Sequence, residues 1–436
     1  MKNIQVITVI GANGTMGCNV AGIFASFGNA KVYMVSRDVE KSKAAILKAG
    51  KSVRAESIAQ NMIPVDYSSL EKCVSESDLV FESVAEDLEI KIGVTNRVAS
   101  ALREDAVACT GSSGLSITRL AECFDEKRRG NYMGVHMFNP PYNLTLCELI
   151  PTKYTNLTVL EEIREYLSDK LLRTVVEVKD APAFLGNRIG FQFINEAMQF
   201  AETYKDNGGI DYIDSILGPF TGRAMAPLTT ADFVGLDVHK AIVDNLYANT
   251  DDYAHSTFLL PAFAEKLIKE GKLGRKAKGG LYKMEITESG VKRMTVYDVA
   301  TGTYRDKLQY EFPFVNTITK KLQSGDYADA FAELINNRSA EAKICLDFLL
   351  RYIVYALVTA DTVAYDIHSA DDVMATGFNW CPPLAMIDAL STVTDVKALV
   401  VERLGKTVLK SVDVDALFSK VEPSKYDYRS YFRSLR

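Results

Sequence analysis

The first 35 residues constrain this chain more than any other stretch. Ile4 to Ile10 reads Ile-Gln-Val-Ile-Thr-Val-Ile, β-branched and nearly all apolar, which suits a strand buried on both faces of a parallel sheet. Gly11-Ala-Asn-Gly14-Thr-Met16-Gly17 follows and runs into an apolar helix, Val20 to Phe27, and then a second strand, Val32 to Val35. Glycines let the backbone approach a pyrophosphate, and a helix N-terminus favours its charge. The stretch therefore predicts a dinucleotide site with Gly11, Gly14, Met16 and Gly17 at the phosphates. A plain tight turn could use the same glycines, but the flanking strands and helix favour the nucleotide. The spacing is GxxGxxG, one residue longer than GxGxxG. The position after the second strand, where an acid normally meets the ribose hydroxyls, holds Ser36 followed by Arg37. Ser36 can donate to a 2′-phosphate and Arg37 can pair with it, so NADP is expected to serve at least as well as NAD.

Strands and helices keep alternating: a helix from Val39, strands at Met62 to Val65 and Leu79 to Ser83, a helix from Leu88 to Leu102, and a strand at Val107 to Thr110. This order predicts an α/β fold, a Rossmann-like doubly wound parallel sheet. Gly111-Ser112-Ser113-Gly114 falls at the carboxyl edge, where such sheets bind ligands, although Ser113 also reads as a helix cap. After an amphipathic helix, Leu157 to Leu172, and a closing strand, Thr174 to Val178, the pattern breaks at Lys179-Asp180-Ala181-Pro182.

Between those elements lies His136, the only histidine in the first half of the chain. It ends a short apolar run, and Glu148 sits twelve positions on in a second run, Leu144 to Ile150. A strand, a tight Pro-Pro turn and a returning strand would bring the two side chains together. A carboxylate on one imidazole nitrogen leaves the other free as a base. On spacing alone, such a pair also reads as a satisfied polar residue and a surface charge.

From Phe184 to about Gly280 the spacing is helical, in segments Phe184 to Tyr204, Tyr212 to Leu217, Thr229 to Tyr247 and Phe258 to Glu270. Gly279 to Ile286 and Lys292 to Val299 read as a hairpin around Glu288-Ser-Gly290, and residues 300–337 as a polar connector with partial helix. Beyond it lies a repeat: Ile194, Ala197 and Ala201 match Ile353, Ala356 and Ala360 at an offset of 159, and Pro227-Leu228 with Asp232 matches Pro383-Leu384 with Asp388 at 156. The expected organisation is a dinucleotide domain, 1–182, a helical domain, 183–285, a hairpin and connector, 286–337, and a second helical domain, 338–436.

Composition narrows the function. A net charge of -6 offers no basic field for nucleic acid. The seven cysteines are odd in number and scattered, with no CxxC, so no metal site and a reducing, cytoplasmic location are expected. Only Met1 and Lys2 precede Asn3 and the first strand, and no apolar run is long enough to span a bilayer, so neither a signal peptide nor a membrane segment is expected.

Taken in order, Gly11 to Gly17, Phe81-Glu-Ser-Val-Ala-Glu86 with Lys91, Ser112-Ser113, His136-Met-Phe-Asn139-Pro140, Glu148, Asp180 to Arg188, Asp232 to Asp237 and Gly274-Arg-Lys276 resemble the 3-hydroxyacyl-CoA dehydrogenase family over nearly the whole chain. The duplicated helical part resembles the multifunctional fatty-acid oxidation proteins without their hydratase domain. The resemblance implies oxidation of a 3-hydroxyacyl-CoA thioester, with His136 as base, Glu148 as its orienting partner, and Ser113 and Asn187 at the substrate oxygen. It implies that Glu86, Lys91, Asn139 and Lys276 contact a nicotinamide cofactor. Gly111 departs from the family, which has Asn before the serine pair. Dehydrogenation of a free β-hydroxyacid and a non-catalytic nucleotide-binding role are the competing readings. In single-copy members the helical domain pairs with that of a second chain; here both copies are in one chain, so a monomer with an internal pseudo-dimer is expected.

Overall fold

A computed structural model describes residues 3–277, 279–286 and 290–432. The chain divides into two compact units. The first is Met1–Phe184 with Val363–Tyr365, and the second is Leu185–Thr362 with Asp366–Arg436.

The first unit holds strands β1 (Val6–Ile10), β2 (Lys31–Ser36), β3 (Met62–Asp66), β4 (Leu79–Glu82), β5 (Val107–Thr110), β6 (Tyr132–Met137), β7 (Leu146–Ile150) and β8 (Thr174–Glu177). Helices α1 (Thr15–Ser26), α2 (Val39–Val53), α3 (Leu70–Glu76), α4 (Leu88–Ala101), α5 (Ile117–Ala121) and α6 (Leu157–Glu165) connect them. The sheet order is β3-β2-β1-β4-β5-β6-β7-β8, with β6 and β7 antiparallel and every other neighbouring pair parallel. Ile7, Val9, Val32 and Met34 are fully buried, which explains the continuous apolar runs. Because β1 lies between β2 and β4, the chain reverses its winding direction at the carboxyl end of β1, the place where doubly wound sheets hold ligands.

The second unit contains α7 (Gly186–Thr203), α8 (Ile210–Ile216), α9 (Pro227–Val234), α10 (Leu236–Asn249) and α11 (Ala262–Lys269). Strands β9 (Tyr282–Ile286), β10 (Lys292–Asp298) and β11 (Thr303–Asp306) follow. Then come α12 (Pro313–Ser324), α13 (Tyr327–Asn336), α14 (Ala340–Val363), α15 (Ser369–Gly377), α16 (Pro383–Ser391), α17 (Val396–Leu409) and α18 (Val414–Phe418).

Three expectations need correcting. The single helix expected from Thr229 to Tyr247 is two, broken at Gly235, whose φ of +107° suits glycine and where a Cβ would lie 2.7 Å from Lys276 Nζ. The hairpin gains a third strand, β11, antiparallel to β10, because Thr303 to Asp306 alternates too briefly to stand out; Glu288 and Ser289 of its expected turn lie outside the described residues. The connector is largely helical: Phe314, Ile318 and Leu322 form one buried stripe and Ala330, Phe331 and Leu334 another, with polar residues masking both in composition.

The two halves of the second unit correspond. In each, an aspartate accepts the first amide of the matched Pro-Leu helix: Leu228 N–H donates to Asp214 and Leu384 N–H to Asp371, both at 2.8 Å. The next matched acids also act alike, Asp232 accepting from Leu281 N–H at 2.7 Å and Asp388 from Ser424 N–H at 2.9 Å. Where the halves meet, Arg223 and Trp380 form an antiparallel bridge, and Cys381 N–H donates to Gly222 O at 2.7 Å. The Arg223 guanidinium is buried there over the rings of Phe193, Tyr352 and Trp380, 4.1 to 4.8 Å from their centroids.

Candidate active site

At the end of β1 the glycine turn is built as a close approach. Gly11 has φ +77°, and a Cβ there would lie 2.3 Å from Ser83 O; one on Gly17 would lie 2.5 Å from Gly11 O. The longer spacing is absorbed by a turn in which Gly14 N–H donates to Gly11 O at 2.9 Å. Gly14 also stands at the N-cap of α1, which no side chain caps, so its first amides face outward with the positive end of the helix dipole. Met16 is half-buried against the sheet core. This cradle fits the pyrophosphate of a dinucleotide.

Ser36 is not at that surface. Its side chain is fully buried, donates to Asp38 O at 2.7 Å and shares a 2.7 Å hydrogen bond with Ser42 Oγ. Its hydroxyl is committed to holding the start of α2, so the expected contact to a 2′-phosphate is withdrawn. Of the pair, only Arg37 is exposed.

The ends of β4 and β5 carry a charge network. Lys91, 1% exposed, donates to both oxygens of buried Glu82 at 2.9 and 3.0 Å and lies 3.5 Å from Glu86. Thr110 Oγ1 donates to Glu82 at 2.7 Å. Glu86 accepts from Ser112 Oγ at 2.6 Å and from Ser113 N–H at 2.8 Å, which pins the loop that follows β5. Gly111 suits this loop: a Cβ there would lie 2.8 Å from the Phe81 ring, so Phe81 fills the room an asparagine would need. Ser113 Oγ has no hydrogen-bond partner among the described residues.

His136 and Glu148 are direct partners in the antiparallel register of β6 and β7, which is why two residues twelve apart meet. His136 Nδ1 lies 2.7 Å from Glu148 Oε2, with both side chains buried. An ionised carboxylate can only accept, so Nδ1 carries the proton and Nε2, with no partner among the described residues, is left as acceptor. The rings of Phe138 and Phe184 pack against the imidazole at 4.8 and 5.5 Å. Ala183 and Phe184 both adopt left-handed backbone to bring the second ring there, each at a cost of about 1–2 kcal/mol. Asn139, after β6, accepts from Asn19 Nδ2 at 3.1 Å. Asp180 accepts from the amides of Ile117 and Thr118 and so fixes the start of α5.

Two expected site residues lie in the second unit. Asn187 is buried in the first turn of α7, and Lys276 is paired with Asp237 at 2.5 Å. The structure thus joins His136 with Glu148, Lys91 with Glu86, Glu86 with Ser113, and Asn139 with Asn19.

Residues 6–181 match the sequence model of the 3-hydroxyacyl-CoA dehydrogenase NAD binding domain, and residues 184–284 that of the family's C-terminal domain. The chain is 31% identical over 290 residues to a 3-hydroxybutyryl-CoA dehydrogenase of Clostridioides difficile, covering 98% of that protein and 63% of its own length. This chain belongs to the 3-hydroxyacyl-CoA dehydrogenase family. It is also 28% identical over 432 residues to a probable 3-hydroxyacyl-CoA dehydrogenase of Bacillus subtilis, covering 93% of itself and 53% of that protein. It spans about half the length of several curated relatives that it matches. The fold is that of the 3-hydroxybutyryl-CoA dehydrogenase of Escherichia coli, with a TM-score of 0.69 at 20% identity over 96% of this chain and 99% of that one.

Within this site, sequence reading missed Glu82, Thr110 and Asn19. Glu82 could have been found: a glutamate closing an otherwise apolar strand, with a lysine nine residues on, is an acid placed where burial demands a counter-charge. Thr110 and Asn19 carry no such signal, because their roles depend on which strands and loops become neighbours.

Proposed function

We propose that this protein interconverts 3-hydroxyacyl-CoA and 3-oxoacyl-CoA thioesters with NAD as redox partner, His136 acting as the acid and base. The observation that carries this reading is the buried 2.7 Å pair of His136 Nδ1 and Glu148, which leaves Nε2 open. Bound NAD⁺ would accept the hydride from the alcohol carbon. Nε2 takes the hydroxyl proton as the carbonyl forms, and Glu148 stabilises the imidazolium that results. In the reverse direction the imidazolium returns the proton. Ser113, with its free hydroxyl, and Asn187 are the donors for the substrate oxygen. The uncapped N-terminus of α1 would hold the pyrophosphate, and Glu86, Lys91 and Asn139 would border the nicotinamide with Lys276.

A cytoplasmic location is in keeping with seven cysteines scattered without a CxxC pair, and no described helix is long and apolar enough to cross a membrane. The corresponding halves of the second unit support a monomer whose second helical copy replaces a partner chain.

Replacing His136 by Gln tests the assignment. Turnover of acetoacetyl-CoA, followed by NADH absorbance, should fall about 10²–10⁴-fold while NADH binding persists. Near-normal turnover would remove His136 from the chemistry. Glu148→Gln should slow the reaction and displace its pH profile, because the imidazolium loses its charged partner.

A further inference from the structure

A pocket of about 600 Å³ lies between α9 and the three-stranded sheet of the second unit. That volume lies in the range of pockets for small organic ligands. Its walls are apolar and soft. Met225 and Phe233 come from the α9 side, and Met284 and Met294, direct partners across β9 and β10, from the sheet. Phe233, Met284 and Met294 are 40 to 50% exposed, an unusual fate for three large apolar side chains in one place. Methionine adapts to unbranched chains because it is flexible and polarizable.

Two cations border the same space. Arg275 lies over the Phe233 ring at 5.7 Å and Lys307 over the Tyr282 ring at 5.5 Å. Neither has a carboxylate partner among the described residues, whereas neighbouring Lys272, Lys276, Lys283 and Arg293 are all paired with acids. The one acid in the wall, Asp232, is buried, and its Oδ1 is spent on the amides of Leu281 and Tyr282.

The second copy shows that an open pocket is not forced by the helical module. At the offset of 156, Thr229 and Phe233 correspond to Ala385 and Ala389 on α16, and both alanines are fully buried. There α13 and the turn at Tyr428–Tyr431 pack on the helix.

We propose that this pocket binds the unbranched hydrocarbon chain of a fatty-acyl ligand, with Arg275 and Lys307 meeting the anionic group at its head. A free fatty acid and an acyl-CoA thioester share that chemistry. The choice of an acyl ligand rests on the proposed activity; the open apolar walls and unpaired cations do not.

Calorimetric titration of the full chain with octanoate, decanoate, dodecanoate, dodecanol, dodecanoyl-CoA and CoA alone tests it. Affinity should rise about fourfold per methylene until the pocket is filled. Met294→Glu, at an exposed position, should weaken dodecanoate at least tenfold with the melting temperature unchanged, and Met284→Gln should weaken it less. Arg275→Ser with Lys307→Ser should weaken dodecanoate more than dodecanol. Dodecanoyl-CoA binding that Met294→Glu weakens, with no binding of dodecanoate, would identify the thioester as the source; the converse would identify the free acid. His136→Gln should leave the dodecanoate affinity unchanged, so a failed catalytic assignment cannot imitate a failed pocket. No chain-length trend, or binding of both dodecanoate and dodecanoyl-CoA indifferent to Met294→Glu, overturns the proposal even if acetoacetyl-CoA is turned over.

Discussion

Helices α7 and α14 hold corresponding places in the two halves of the second unit, yet they bury opposite kinds of side chain. Where α7 buries Asn187, Asn195 and Glu196, α14 buries Leu346, Val354 and Tyr355. Asn195 and Glu196 find partners. Asn195 donates to Thr257 O and Leu259 O at 2.7 and 3.0 Å, and Gln192 donates to Glu196 at 3.0 Å. Arg188, also on α7, pairs with Asp252 at 2.7 Å. Burying such groups costs free energy unless each finds its partner, whereas an apolar helix packs without that condition. A duplicated scaffold can thus divide its work unevenly: the first copy carries most of a polar lattice that positions a loop, and the second adds Arg351 and Tyr355 to it while supplying more of the apolar packing.

Removing the second copy would break this comparison most severely. Deletion after Asn337 strips Phe348, Tyr352 and Trp380 from the Phe193 ring. Light scattering should then find dimers or aggregates in place of a monomer. A truncated form that stays a soluble, active monomer would show that the second copy is no internal partner.

Exchanging residues between the helices is the next test. Asn187→Leu, the residue found at position 346, should lower turnover about 10²-fold with little loss of stability. Leu346→Asn should leave the turnover of folded protein intact while lowering unfolding free energy in urea by about 3 kcal/mol. Equal effects of the two changes on turnover would erase the division of labour.

The smallest effect concerns two buried carboxyls that stand at unmatched positions of the repeat. Burial pushes Asp232 and Asp371, one in each half, up to about 6. A carboxyl whose value in the fold lies above its unfolded value destabilises the fold when ionised, so stability should rise as pH falls from about 6 to about 4. Asp232→Asn and Asp371→Asn should each add about 1–2 kcal/mol near neutral pH, a gain that vanishes near pH 4 in urea titrations. A gain independent of pH would mean that neither carboxylate is strained by its charge.

Much of the first unit was legible because its physics is local. Continuous apolar runs such as Ile4 to Ile10 report burial on two faces, and Gly11 and Gly17 report backbone approaches so close that an added Cβ would lie within 3 Å of a neighbouring carbonyl oxygen. The meeting of His136 and Glu148 could be anticipated because two strands joined by a tight turn fix their register. Ser36 misled, since a serine after a strand says nothing about which way its hydroxyl turns; only Ser42, one helical turn on, decides that. The pocket was hidden for a related reason. Met284 and Met294 read as ordinary strand residues until the sheet brings them opposite each other and beside α9.

Trp380 is the only tryptophan in the chain, and it lies at the seam of the two helical halves with the Arg223 guanidinium 4.7 Å from its ring. Its indole is therefore a built-in fluorophore for one event. Selective excitation would report whether the halves are joined, through the shift to longer wavelength as water reaches the ring, and would be blind to melting of the nucleotide-binding unit. Emission and circular dichroism, recorded on one sample, would resolve the loosening of the seam from the collapse of the rest.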